Sequence, residues 1–152
     1  MKNLIAFSLL VILFSACDSS HKSVTPAPVP YQALNGGWSV VQMAGLKSSF
    51  DSLFPRRPYI VFKVTERTVS GNTSCNSFSG PFTLTNDNGI SFKKPLALTK
   101  MACAQGMDGE NAFMAMLTNA SDFSISGDTL HIHAHDVPGM TLIRIKDQEV
   151  AP

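Results

Sequence analysis

The chain has 152 residues, of which 12 are basic and 11 acidic, so its charge is nearly balanced. This length suffices for one domain with its own core. A nucleic-acid-binding protein would be expected to carry a basic stripe, and because the sequence has none we expect no nucleic-acid partner.

Residues 1–16 have the layout of a secretory signal. Lys2 supplies a positive region, and the 11 residues from 4 to 14 contain no charged side chain. A helix of that length spans about 16 Å, roughly half of the hydrocarbon core of a membrane. The segment is therefore too short to span a membrane comfortably, and we expect it to be a leader that is removed.

The leader ends in the run Leu13-Phe14-Ser15-Ala16-Cys17, which resembles the lipobox of bacterial lipoproteins. Ordinary leader peptidases need a small residue three positions before the cut, where this chain has Phe14. We therefore predict that Cys17 carries lipid and anchors the mature chain to an envelope membrane. The alternative is a plain cleavage site with a cysteine beside it by chance.

The identity of that membrane is marked only by the residue after the anchor. Asp18 resembles the inner-membrane retention signal of enteric bacteria, whereas other phyla sort their lipoproteins differently. Despite Asp18, we expect the outer membrane rather than the inner one, with the folded domain facing the periplasm or the exterior.

Residues 17–33 are predicted to form an extended tether. Three serines lie in its first half, and Pro26, Pro28 and Pro30 alternate with other residues in its second half. Such a composition cannot build a core, and polyproline geometry at about 3 Å per residue would reach on the order of 45 Å. With residues 147–152 as a loose tail, a single folded domain is expected at 34–146.

Short strands dominate the predicted domain. Hydrophobic alternation and turn residues place them at 37–41, 59–64, 68–72, 81–84, 90–93, 123–126, 130–134 and 140–145. The pairs Asn88-Gly89 and Gly127-Asp128 are typical of the tight turns that join hairpin strands.

One helix is predicted among these strands. Asp108 is expected to cap it, Glu110 to suit the positive end of its dipole, and Asn119 to end it. The apolar residues at helical spacing are Phe113, Met116, Leu117 and Ala120. About eight short strands and one packed helix indicate a mainly β (α+β) fold, either a small antiparallel barrel or a curled sheet.

Once Cys17 is assigned to lipid, Cys75 and Cys103 remain as an even pair in an oxidising compartment, and we predict a disulfide between them. The bridge would close a loop of about 29 residues and stabilise the domain by roughly 3.5 kcal/mol in the chain-entropy model. One alternative is a pair of buried free thiols that pack as small hydrophobes. Another is Cys75 as a nucleophile beside Asn76, although no motif supplies a partner histidine.

Both cysteines lie in motifs that resemble a known family. Residues 70–80 read Ser-Gly-Asn-Thr-Ser-Cys-Asn-Ser-Phe-Ser-Gly, and residues 98–103 read Leu-Thr-Lys-Met-Ala-Cys. They resemble the Gly-x-x-x-Cys-Asn-x-aromatic-x-Gly and Thr-x-Met-Ala-Cys signatures of the META domain, the fold of heat-shock lipoproteins of the HslJ type. The residues that carry the match are Gly71, Cys75, Asn76, Gly80, Thr99, Met101, Ala102 and Cys103. With the opening strand and the helix, the resemblance covers residues 34–146.

The resemblance implies a lipocalin-like barrel, an envelope location and a link to stress tolerance, but no reaction, cofactor or catalytic residue. We therefore predict a non-enzymatic protein that binds or protects an envelope protein or a small molecule. The alternative is a carrier that holds a small hydrophobic ligand inside the barrel. Within the first motif, Gly71 and Gly80 are expected to adopt backbone geometry that a Cβ resists, and Asn76 to bond the backbone of its own loop.

Three histidines, His131, His133 and His135, alternate along the predicted strand near residue 132. Period-two geometry places them on one face, with neighbouring Cα atoms about 6.5–7 Å apart. Two of them could share a zinc, copper or nickel ion with a carboxylate such as Asp136 or a water. In the simpler interpretation, Leu130 and Ile132 face the core and the histidines only line the solvent face.

Overall fold

The computed structural model describes residues 31–85, 88–92, 95–135 and 139–146. The leader, Cys17, the tether up to residue 30, Asp136 and the tail 147–152 lie outside the described residues, so what we expect of them stays a prediction. Within the described ranges, no helix is long and apolar enough to cross a membrane.

The described part of the chain contains nine strands and two α-helices. The strands are β1 (Gly36–Met43), β2 (Tyr59–Lys63), β3 (Thr68–Asn72), β4 (Ser77–Thr85), β5 (Gly89–Phe92), β6 (Ala97–Leu98), β7 (Ala120–Ser126), β8 (Thr129–Ala134) and β9 (Met140–Arg144). The helices are α1 (Phe50–Leu53) and α2 (Met107–Thr118), and a 3-10 turn at Tyr31–Leu34 precedes β1.

Eight of the strands close into an antiparallel barrel. They follow the order β3-β2-β1-β9-β8-β7-β5-β4, and β4 then pairs with β3 to complete the circle. The short β6 adds to β4 beside β5 as a ninth strand. The prediction of a mainly β fold with a small antiparallel barrel and one main helix is confirmed.

Tertiary pairing extends this barrel beyond the predicted strands. β4 begins at Ser77 rather than at 81, because β3 pairs with it through Asn72↔Ser77 and Gly71↔Phe78. Serine and glycine have weak strand propensity, so the sequence alone does not predict the start of β4. Strand β6 is only two residues long, too short for a recognisable pattern.

The predicted cap of α2 was wrong. The residue before the helix is Gly106, at φ 93°, where a side chain is disfavoured, and no side chain caps the helix. Asp108 lies instead within the first turn, where its charge still suits the helix dipole. Asn119 does end the helix, as predicted.

Aromatic side chains fill the barrel interior because alternate residues of each strand point inward. On β2, Ile60 and Phe62 are buried while Tyr59 is exposed. The Phe62 ring lies 5.4 Å from that of Phe82 and 6.2 Å from that of Phe92. A ligand carrier would have to displace these core side chains, so the interior lends the carrier alternative no support.

Different elements close the two ends of the barrel. At what we call the N-terminal end, the 3-10 turn packs under Trp38, whose Nε1 donates to the Leu34 carbonyl at 2.8 Å. At the opposite, motif end lie α1, α2 and the β3–β4 turn, where Phe113 of α2 packs 5.5 Å from Phe78. The family motifs therefore lie away from the point at which the tether joins the domain.

Candidate functional site: a stapled loop at the motif end

The two cysteine motifs meet through a covalent bond. Cys75 and Cys103 form a disulfide with their Cα atoms 6.0 Å apart, which confirms the predicted pairing. Cys75 is buried and Cys103 is half-buried. The bond fixes residues 99–106, which we call the stapled loop, against the β3–β4 turn, and it leaves neither sulfur as a free nucleophile.

The side chain of Asn76 holds the same loop without covalent bonds. Its Oδ1 accepts hydrogen bonds from the Met101 amide at 2.7 Å and from Thr99 Oγ1 at 2.8 Å. Its Nδ2 donates to the Met101 carbonyl at 3.2 Å. The expectation that this side chain bonds its own loop backbone was wrong, and Asn72 has that role, since its Oδ1 accepts from the Ser74 amide at 2.8 Å.

Glu110 links helix α2 to Asn76 and to the β3–β4 turn. Glu110 is 4% exposed, and its two carboxylate oxygens accept from Thr73 Oγ1 at 2.5 Å and from Asn76 Nδ2 at 3.2 Å. A buried carboxylate is costly without such donors. Glu110 thus does more than complement the helix dipole, because it joins α2 to the β3–β4 turn.

Thr73, Asn76 and Glu110 form a buried polar cluster whose hydrogen-bonding groups all have partners. No buried side-chain nitrogen or oxygen of the described residues lacks a hydrogen-bond partner. The polar groups of Thr73, Asn76 and Glu110 bond one another or the stapled loop. Such an arrangement is suited to fixing the shape of the loop.

Space rather than backbone conformation favours glycine at both motif positions. A Cβ on Gly71 would clash with the Tyr59 backbone carbonyl oxygen and lie 2.7 Å from the Phe78 ring, whereas one on Gly80 would lie 2.5 Å from the end of the Leu96 side chain, which would have to move. Neither glycine has a positive φ, so the expected unusual backbone geometry was wrong. Ala102 is exposed within the stapled loop.

Sequence reasoning missed three residues of this region, Thr73, Ser74 and Arg56. Ser74 has a φ of 87°, uncommon for a residue with a side chain, and Arg56 braces it. The Arg56 amide donates to Ser74 Oγ at 2.9 Å, and Arg56 Nε donates to the Ser74 carbonyl at 3.1 Å. No local pattern links these residues, because 18 positions separate them.

The stapled loop presents an apolar side chain to solvent. Met101 is 62% exposed although its backbone is bonded on both sides by Asn76. Met107, at the start of α2, is 41% exposed. With Tyr59, these are three of the four exposed large hydrophobic residues of the described chain, and the fourth, Ile143, lies on β9.

The three histidines are only partly brought together. His131 and His133 lie side by side on β8 with ring centroids 6.4 Å apart, and His131 Nδ1 lies 3.2 Å from Thr141 Oγ1. Asp122 on β7 is the register partner of His133. His135 follows the end of β8. Across the described residues, no group of three or more His, Cys, Asp or Glu side chains is arranged to hold a metal ion.

Fold and stapled loop together define a small antiparallel barrel domain fixed by one disulfide. The family model of the META domain matches residues 32–148. The chain belongs to the META domain family. No curated protein matches it.

Solved structures share this fold. An NMR structure of a protein from Burkholderia xenovorans is 22% identical, with a TM-score of 0.60, over 84% of this chain and 97% of that one. Another NMR structure is 25% identical, with a TM-score of 0.57, over 76% and 94% of the two chains. The crystal structure of a DUF4847 family protein from Bacteroides vulgatus is 15% identical, with a TM-score of 0.53, over 75% and 95%.

Proposed function

We propose that this chain is an envelope lipoprotein, anchored through Cys17, whose META domain binds an envelope protein at its motif end during envelope stress. The observation that carries the proposal is the stapled loop. The buried side chains of Thr73, Asn76 and Glu110 bond one another, and Asn76 also bonds the loop, which is thereby fixed and displays Met101. What supports a non-enzymatic role is that these side chains serve the shape of the loop.

The position of the tether supports the choice of binding face. The described chain begins at Tyr31, in the turn that closes the N-terminal end of the barrel. Residues 18–30 would span about 40 Å in polyproline geometry. An anchor at Cys17 would thus join the N-terminal end of the barrel, and the motif end, with Tyr59, Met101 and Met107, would lie at the end of the domain opposite that attachment.

Complementation of a deletion strain tests the proposal. Loss of the gene is expected to lower survival in heat, detergent and hydrophobic antibiotics, and the wild-type gene to restore it. A Cys17→Ala variant, and separately a Met101→Gln/Met107→Gln double variant, should fail to restore survival at equal protein levels. Ile143→Gln is the matched control, since Ile143 is 45% exposed but lies on β9 away from the motif end.

The outcomes separate the parts of this proposal. Unchanged survival of the deletion strain would contradict the stress role. Full rescue by Cys17→Ala would contradict the need for an anchor, and full rescue by the methionine double variant would contradict the binding face. A partner recovered from intact envelopes by the wild type and by Ile143→Gln, but not by the double variant, would identify the bound protein.

A second candidate function is metal binding by His131 and His133. Their adjacent rings favour it, since the contact of His131 Nδ1 with Thr141 leaves Nε2 for a ligand. With Asp122 opposite His133, rotation of these surface side chains would give zinc, copper or nickel two imidazoles and a carboxylate. Calorimetric titration with zinc should give heat with the wild type and not with His131→Ala/His133→Ala. Equal heats would remove this candidate.

A further inference from the structure

The methionines of the described chain differ sharply in exposure. Met101 and Met107 are 62% and 41% exposed, whereas Met116 is only 2% exposed. The others are buried or partly buried in the core: Met43, Met114 and Met140. Exposure of a thioether largely decides how fast oxidants reach it, so these sulfurs should differ in reactivity.

The exposure of Met101 is imposed by the loop. The carboxamide of Asn76 bonds both its amide and its carbonyl, at 2.7 and 3.2 Å, and Cys103 is covalently fixed two positions later. Because these contacts fix the backbone on both sides of Met101, moving this residue inward would break them. The buried carboxamide of Asn76 would then lose its partners, which is unfavourable. The sulfur of Met101 is therefore held on the outside.

From this geometry we infer that Met101 is the principal oxidation site of the folded domain, with Met107 second, for oxidants of the peroxide class. The sulfur lone pair attacks one peroxide oxygen, forming the S–O bond as the O–O bond breaks. The hydrogen of the transferred oxygen passes to the leaving hydroxide, which departs as water. Sulfur loses two electrons and the peroxide gains them, giving methionine sulfoxide.

Oxidation at Met101 changes the surface without disturbing the fold. The bonds that hold the stapled loop use the backbone of Met101 and the side chain of Asn76, and none uses the thioether. A sulfoxide on Met116 would instead place a polar group in the core. A methionine sulfoxide reductase can return the sulfoxide to the thioether, as two thiols are oxidised to a disulfide and the oxygen leaves as water. Oxidation of Met101 can therefore act as a switch on partner binding; this step rests on the proposed function.

Peptide mass spectrometry of the full mature chain, treated with limiting hydrogen peroxide, tests the site. Met101 sulfoxide should accumulate at least about tenfold faster than Met116 sulfoxide in the folded protein, and at a similar rate in denaturant. Met101→Leu should shift the first oxidation to Met107 without changing the melting temperature. Oxidation of Met101 no faster than that of Met107 or of Met116 in the folded protein would overturn the inference.

Two further measurements separate the site from its role. The melting temperature of protein oxidised only at Met101 should equal that of the untreated protein, and a large drop would overturn the claim that the fold is spared. In cells treated with peroxide, Met101→Leu should retain the partner that the oxidised wild type releases. Equal retention by the two proteins would overturn the switch alone. If the Met101→Gln/Met107→Gln variant kept the partner without oxidant, the proposed function itself would be contradicted.

Discussion

The two ends of the barrel are closed by opposite means. At the N-terminal end, Leu34 is fully buried beneath Trp38, and the guanidinium of Arg144 lies 4.1 Å from the centroid of the Trp38 indole ring. At the motif end, the stapled loop contributes an exposed Met101 and is held by a disulfide and by Asn76.

This difference follows from what each segment can bury. The N-terminal turn has an apolar residue to place in the core, so the hydrophobic effect stabilises it. The stapled loop keeps its largest apolar side chain outside, so covalent and buried polar contacts must offset the entropy lost when it is ordered. A loop fixed in this way can present a side chain to a partner in one shape.

The largest expected effect is at Asn76. Asn76→Ala removes the partners of the Met101 amide, the Met101 carbonyl and one Glu110 oxygen, and we expect a loss of about 3–5 kcal/mol in the free energy of unfolding. Urea unfolding measures it. Asn72→Ala is the matched control. The Asn72 side-chain oxygen accepts one hydrogen bond, from the Ser74 amide of the turn, so this substitution should cost about 1 kcal/mol. Equal losses would show that the buried cluster adds nothing to the turn.

Removal of the disulfide should cost somewhat less. Cys75→Ala/Cys103→Ala is expected to lose about 3.5 kcal/mol through the greater freedom of its unfolded chain. The variant should still fold, because Asn76 keeps its contacts with Met101. Reductant should lower the stability of the wild type toward that of the variant and leave the variant unchanged. Unfolding of the variant in buffer would mean that Asn76 cannot hold the loop alone.

At the N-terminal end, Arg144 is the residue to change. Besides its contact with Trp38, it donates to the carbonyls of Ala33 at 2.8 Å and of Asn35 at 3.1 Å. Arg144→Met keeps an aliphatic stem but loses these bonds, and we expect a cost of about 1–2 kcal/mol. Lys146→Met, on an exposed neighbour, should change stability by less than about 0.5 kcal/mol. A cost as large as that of Asn76→Ala would erase the contrast between the ends.

The sequence predicted those features that depend on local patterns. Alternation identified β2, since Ile60 and Phe62 are buried while the residues beside them are exposed or half-buried, and cysteine counting identified the Cys75–Cys103 bond. The contacts that shape the site are not local. Glu110 meets Thr73 across 37 positions and Asn76 across 34, and no periodicity encodes such pairs. Asn76 was recognised as a motif residue, but its partners required the fold.

A small effect is expected of Glu110→Gln, which tests whether the charge of this side chain matters. The amide oxygen can still accept from Asn76, and its NH2 group can donate to Thr73 Oγ1, whose own hydrogen can turn to the Asn76 carbonyl at 3.0 Å. Every partner is then retained, so we expect a loss of only about 1 kcal/mol in urea unfolding. Glu110→Ala, which leaves Thr73 and Asn76 short of an acceptor, should cost about 2–3 kcal/mol. If glutamine proved as destabilising as alanine, the negative charge itself would be what joins helix α2 to the motif end.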